Sequence, residues 1–388
     1  MPVLLRHIAD LFKGEVIGRL HAAQAWVASY APDLFCSVAG ARFEGIALAP
    51  PRVAENAYVR ADADFPPFVV TTANGVYFCS TGGVFRWLDG SYYGLAWDCD
   101  RLFILQRGTT RKGRKRLRTL LPDPDLLLRV ETAPTESVPR LFPELAVSKR
   151  LDSHSLDMFG GQVYLTLTAQ NSILVYDPTR RTTVISRIGP RSYKNGTRYL
   201  DRYHHLNSLF VDKDWVWLMA HNDTSYTSRK SEILRVPRAA LDDGQREISP
   251  DETIRTRGSH AHNLFRVGSD LYWCDSYGNS ANRNDEVIAS LGDPYFTRGL
   301  DWDGAYLVVG GSQLEKKREA RGQRSGLVGI WRYVGSGKAE RTGTLMIERS
   351  GHVCDVRFLN GSLGLSKGRT GSPDWLQTLV VAHNASPA

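Results

Sequence analysis

The sequence predicts an all-β fold: a β-propeller of six blades, with seven as the alternative count, preceded by a short, partly helical N-terminal extension. Three observations lead there. One motif recurs six times along the chain. Most recurrences are followed by a Gly/Asp turn and an aromatic-rich strand. The 388 residues include 16 Tyr, nine Trp and 35 Gly against four Met, a balance that suits strands and turns more than helices.

The motif is a special residue, any residue, an apolar residue, often Asp or Asn, and then an apolar run. It reads Tyr93-Gly-Leu-Ala-Trp, His154-Ser-Leu-Asp-Met-Phe, His204-His-Leu-Asn-Ser-Leu-Phe, His260-Ala-His-Asn-Leu-Phe, Arg298-Gly-Leu-Asp-Trp and His352-Val-Cys-Asp-Val. Second strands follow as RLFIL from Arg101, QVYLTL from Gln162, WVWLM from Trp215, DLYWC from Asp270 and AYLVV from Ala305. Later strands read SILVYD from Ser172, SEILRV from Ser231 and LVGIWRYV from Leu327. Alternation with β-branched and aromatic residues makes these strands, and several strands per unit at periods of roughly 40 to 60 residues is the propeller pattern.

The last recurrence, at His352, lacks following strands, whereas Phe68 to Gly90 supplies three strands before the first full unit. Pairing the two closes the ring and removes exposed sheet edges. The expected division is therefore 1–65, the extension, and 66–388, the propeller. Leu4 to Tyr30 has the apolar spacing of one or two amphipathic helices. The seven-bladed count would use Leu34 to Leu48 and a last strand near Leu376.

The formal charge is +8. Much of it lies in two runs, Arg111 to Arg118 and Lys316 to Arg324, which lack the interleaved aromatics of single-strand binders and read as solvated hairpin tips. Nucleic acid is thus disfavoured as a partner. The five cysteines are scattered, with no CxxC, against a disulfide framework or a zinc knuckle. No stretch approaches the ~18 apolar residues of a membrane span, and charges interrupt the N-terminal apolar stretch that a signal peptide needs. The expectation is a cytoplasmic protein with no membrane partner.

In a propeller the innermost strands line a central channel, so equivalent repeat positions converge on the axis. In this register they are Tyr93, His154, His204, His260, Arg298 and His352, with His205 and His262 beside them. Neutral imidazole is the commonest metal ligand. His154, His204, His260 and His352 are accordingly the candidate ligands of one transition metal ion, iron or zinc ahead of manganese or copper. His204 and His205 cannot both face the axis, because strand neighbours alternate, whereas His262 can replace His260. Asp157, Asn207, Asn263, Asp301 and Asp355 recur three places after the slot residue. They either orient ligand histidines or tie one blade to the next, the latter being favoured for most. Arg298 would hold a carboxylate or phosphate through its planar fork, or else pair with Asp301 or Asp303. Tyr93 is a candidate general acid or base. There is no Walker loop, dinucleotide GxGxxG, GxSxG elbow or HExxH.

The stretches FVVTTANGVYF, YYGLAWDCDRLFIL, HSLDMFGGQVYL, HHLNSLF, SHAHNLFRVGSDLYW, FTRGLDWDGAYLVVGGS and GHVCDVRFLNG, in this order, resemble a bacterial family of uncharacterised six-bladed propellers. The resemblance spans about Phe68 to Gly361 and implies the fold alone. By inventory the axis also looks similar to that of the peptide-amidating lyases, with zinc on histidines, and of the carotenoid-cleaving oxygenases, with iron on four histidines. The expected function is therefore a metal-dependent enzyme acting on a small or peptide-like anionic substrate by lyase-type or dioxygen-dependent chemistry. The alternative is a non-catalytic propeller that binds a protein or glycan.

Overall fold

The computed structural model describes residues 51–97, 101–107, 152–189, 204–222, 229–313, 323–333 and 339–359, and the backbone of the strands at 46–47, 115–121, 140–147, 194–195 and 198–199. The helices expected within Leu4 to Tyr30, most of the two basic runs and the strand expected near Leu376 lie outside these residues. Among the described residues no helix is long and apolar enough to cross a membrane.

The chain folds as an all-β propeller. Six sheets of four or five strands account for nearly all of the described strands; the remaining two form a small ribbon, Lys194–Asn195 with Arg198–Tyr199. The innermost strands, in order, are Ser91–Trp97, Leu156–Phe159, Leu206–Val211, His262–Val267, Tyr295–Trp302 and Val353–Phe358. Each touches the next, and the sixth touches the first. The fourth sheet is a plain antiparallel meander of His262–Val267, Asp270–Asp275, Ser280–Arg283 and Glu286–Ser290.

The sixth sheet joins distant parts of the chain. Val353–Phe358 pairs antiparallel with Phe68–Thr72, with Phe358 opposite Phe68 and Val356 opposite Val70, and Gly75–Ser80 and Gly83–Asp89 follow outward. Just upstream, Arg52–Val53 extends this sheet, whereas Ala57–Ala61 forms the outer strand of the fifth. The segment before Phe68 thus straddles two neighbouring sheets.

The core lies between sheets rather than inside one layer. Strand alternation sends successive residues to opposite neighbours. Leu102 and Ile104 pack toward Val69 and Phe78 of the sixth sheet, whereas Phe103 and Leu105 pack toward Leu156 and Val163 of the second. Val308 likewise joins the cluster with the sixth sheet, while Leu307 and Val309 join that with the fourth. Burial on both faces is why these strands read as unbroken apolar runs.

The recurring Asp and Asn residues tie sheet to sheet. Asp157 Oδ2 accepts from Val211 N at 2.8 Å, Asn207 Nδ2 donates to Ala261 O at 2.9 Å, Asn263 Oδ1 accepts from Gly299 N at 2.7 Å, and Asp301 Oδ2 accepts from Phe358 N at 2.8 Å. All four are buried. The first sheet has Ala96 at the equivalent position. Arg357 of the sixth sheet, 1% exposed, reaches past it to the second. Its Nη2 donates to Leu156 O at 3.2 Å, Nε lies 3.4 Å from Asp355 Oδ2, and Nη1 lies 3.8 Å from Asp157 Oδ1.

Candidate functional site

The innermost strands share an irregularity that builds the site. In five of them the ladder shifts register, leaving out Tyr93, Asn207, Asn263, the pair Arg298 and Gly299, and Cys354. A bulge re-aims the extra side chain out of the alternating pattern. Tyr93, Asn207, Asn263, Arg298 and Cys354 all line one small cavity on the propeller axis, of about 20 Å³, together with His154, Ser155, Ser208, His262 and Asp355. Backbone chemistry permits the bulges. Gly299 has φ +83°, and a side chain there would run into Val356 Cγ2 at 2.7 Å. Gly310, opposite, lets the strand pass the carbonyl of Arg298, which a Cβ would meet at 2.3 Å.

Of the six residues expected on the axis, Tyr93, His154 and Arg298 are on the cavity wall. His262 lines it rather than His260. The bulge residues Asn207, Asn263 and Cys354 stand where the unbroken register would have put His204, His260 and His352. His204 lies elsewhere: its Nε2 is 3.3 Å from where a Cβ on Gly189 would be, and its backbone N donates to Asn171 Oδ1 at 3.0 Å. Burial, then Arg229, lowers its pKa from the ordinary histidine value. His352 accepts Ala73 N and the Cys354 thiol through its carbonyl.

The histidines that do gather form a contact chain. Tyr93 stacks on His154 at 5.3 Å between ring centroids, and His154 meets the edge of His205 at 5.6 Å. His205 stacks on His221 at 4.5 Å, and His221 meets His260 at 4.2 Å and His262 at 5.3 Å. His205 and His260 have left-handed backbone, φ 49° and 55°, which frees their rings from strand alternation. His221 was missed by the repeat register because it follows a second strand, Trp215–Ala220. Its amide donates to His205 O at 3.2 Å across the hairpin, so the pairing of that strand with the HHLN strand was the signal available.

Of the four expected metal ligands, His154 alone is on the cavity wall. Among the described residues no group of three or more His, Cys, Asp or Glu stands where it could hold a metal ion, and His205 and His221 lie face to face, 28° apart in plane, rather than aiming nitrogens at a common point.

The wall chemistry is well defined. His262 Nδ1 is 2.6 Å from His260 O and 2.8 Å from Ser276 Oγ, whose hydroxyl donates onward to Thr297 O at 2.7 Å. A carbonyl only accepts, so Nδ1 carries the proton and Nε2 is the acceptor. Burial first, then Arg298 and His221, hold the His262 pKa well below 6.5, so this imidazole is neutral. Burial raises the Tyr93 phenol, which remains protonated. Asp355 is engaged by Arg357, by Asn263 Nδ2 at 3.2 Å and by Val356 N at 3.1 Å. Arg298 carries its guanidinium 5.1 Å above the Phe296 ring. Asp301 accepts from Phe358 N, and Asp303 from Ala305 N and Tyr306 N. The cavity wall thus carries a cation, the Asp355 carboxylate beside Arg357, neutral donors and a neutral imidazole acceptor.

No family model matches the chain, and no curated protein matches it. Solved structures resemble its fold. A chain of a nidogen/laminin complex is 11% identical, with 75% of this chain and 97% of that one covered, at a TM-score of 0.45. An auxiliary nutrient binding protein from Bacteroides thetaiotaomicron is 8% identical, with 79% and 78% covered, at 0.41. AztD from Citrobacter koseri is 9% identical, with 72% and 70% covered, at 0.38. These neighbours are β-propeller proteins.

Proposed function

We propose that this chain is a six-bladed propeller that binds a small anionic molecule in its axial cavity. We also read it as a member of the uncharacterised six-bladed group its motifs resemble. Arg298 carries the functional reading: a bulge turns it onto the cavity wall, beside an imidazole kept neutral. A guanidinium in a partly enclosed polar cavity favours a carboxylate or phosphate held by paired hydrogen bonds. With the anion on Arg298, His262 Nε2 is the proton acceptor and the Tyr93 hydroxyl the proton donor available for acid–base chemistry on the ligand.

Calorimetric titration with small carboxylates and inorganic phosphate tests this. Binding should be measurable, and Arg298→Lys should weaken it by the ~1.5–3 kcal/mol of a charged hydrogen bond, about tenfold to 150-fold. Absence of binding by every anion, or an unchanged affinity in the variant, overturns the reading.

A second reading rests on the contact chain of five histidines. A single iron or zinc ion would draw its ligands from that chain and supply Lewis-acid or dioxygen chemistry beside Arg298. Elemental analysis of protein produced with these metals decides it: stoichiometric metal that is lost in His221→Ala supports it, and metal-free protein removes it.

A further inference from the structure

We infer that the end of the propeller at which the innermost strands begin docks on an anionic membrane surface. The inner strands of a sheet run antiparallel to their neighbours, so each second strand finishes at that end and each third strand starts there. In the first sheet these are Leu102–Arg107 and Lys115–Leu121, in the third Trp215–Ala220 and Glu232–Pro237, and in the fifth Tyr306–Gln313 and Gly326–Tyr333. At or between these strand ends stand Arg107, Lys230 and Arg324, all exposed. Each basic run of the sequence also begins between such a pair of strands, Arg111 after Arg107 and Lys316 after Gln313. Four of the carboxylates described at this end are engaged locally. Glu232 pairs with Arg229 at 2.8 Å and Asp152 with His154 at 3.1 Å. Asp275 accepts from Ser259 N and Gly278 N, and Asp293 from Asn279 Nδ2. The turns at the opposite end carry both signs, as with Asp212, Lys213 and Asp214 in the third sheet and Asp177, Arg180 and Arg181 in the second.

The first, third and fifth sheets alternate around the ring, so the cations surround the axis instead of lining one groove. A rod-like polyanion such as a nucleic-acid duplex can lie along two of these sheets and not all three. A broad, flat anionic surface meets all three together, and a bilayer containing anionic lipids is such a surface. Tyr277, in the equivalent connection of the fourth sheet, adds a ring 47% exposed at the same end. A side chain apolar in body and polar at its tip suits the boundary between headgroups and water. The expectation of no membrane partner rested on the absence of a span, and surface contact needs none.

Sedimentation of the full chain with vesicles tests this, using phosphatidylcholine alone and phosphatidylcholine mixed with phosphatidylserine. The chain should pellet with the anionic vesicles only, and less so as salt is raised. A basic side chain near such a surface contributes about fivefold, so Arg107→Gln, Lys230→Gln and Arg324→Gln combined should bind about 100-fold more weakly. The control removes the same charge from the opposite end: Arg180→Gln, Arg181→Gln and Lys213→Gln combined should bind within about twofold of the parent. All six residues are exposed, so both variants should melt as the parent does. Equal loss in the two variants, binding to the uncharged vesicles, or no binding to the anionic ones overturns the assignment. So does a tighter hold on duplex DNA or polyglutamate than on the vesicles at equal anionic charge, which would give this face another partner.

Discussion

Replacing Arg357 with Leu removes the cation from the most completely buried ionic group among the described residues. The guanidinium is 1% exposed, and so is the side chain of Asp157, one of its two carboxylate neighbours; that of Asp355 is 5% exposed. Leucine leaves both carboxylates and the Leu156 carbonyl without that cation. Removing one partner of a buried ion pair costs about 3–5 kcal/mol, because a charge stays behind out of water. With an unfolding entropy of about 2 cal/mol/K per residue over a cooperative unit of roughly 300 residues, that lowers Tm by about 5–8 °C. Thermal melts by circular dichroism measure it. Adding Asp157→Asn and Asp355→Asn should restore most of the loss, since both amides keep an oxygen for the backbone donors Val211 N and Val356 N while the stranded charges disappear. A single variant that melts within about 1 °C of the parent would refute this reasoning, as would a triple variant no better than the single one.

Two further outcomes follow. The folded-state pKa of His262 is depressed by burial, Arg298 and His221. The unfolded chain therefore binds more protons below about pH 6.5, so the contribution is complete above that value and is lost as pH falls beneath it. Urea midpoints at pH 7, 6 and 5 should drop with pH, and less steeply in His262→Gln; identical slopes would contradict the assignment. Asp301→Ala leaves Phe358 N buried without its acceptor, at a cost of about 1–3 kcal/mol. Hydrogen exchange at Phe358 should accelerate in Asp301→Ala and recover in Asp301→Asn, and unchanged exchange would show that the tie is dispensable.

How much of this was legible in the sequence depends on which residues obey the strand period. The inner-strand motifs, the apolar runs behind them and the pairing of the His352 strand with the Phe68 strand all follow from periodicity, which the structure respects. The Asp and Asn ties were legible as repeats for the same reason. The register at the axis was not. It turns on five bulges, and a bulge is one extra residue with no fixed signature: Asn263 at φ 44° and Gly299 at φ 83° fall in sequences that read equally well as unbroken strand. Hence Asn207 and Cys354 face the cavity instead of His204 and His352. His221 escaped notice because its neighbours are set by hairpin pairing, not by spacing from a motif.

The sixth sheet also sets a timetable for synthesis. Phe68–Thr72, apolar or buried along its whole length, finds its inner partner in a strand 284 residues further on, as the contact of Thr71 with Asp355 marks. At about 5–20 residues per second a ribosome needs roughly 14–57 s to cover that interval. Throughout it the edge of Phe68–Thr72 is an open template for any other strand in the cell. The cavity wall is equally late, since Cys354, Asp355 and Arg357 beneath it arrive on the closing strand. The nascent chain therefore carries that open edge until the ring shuts.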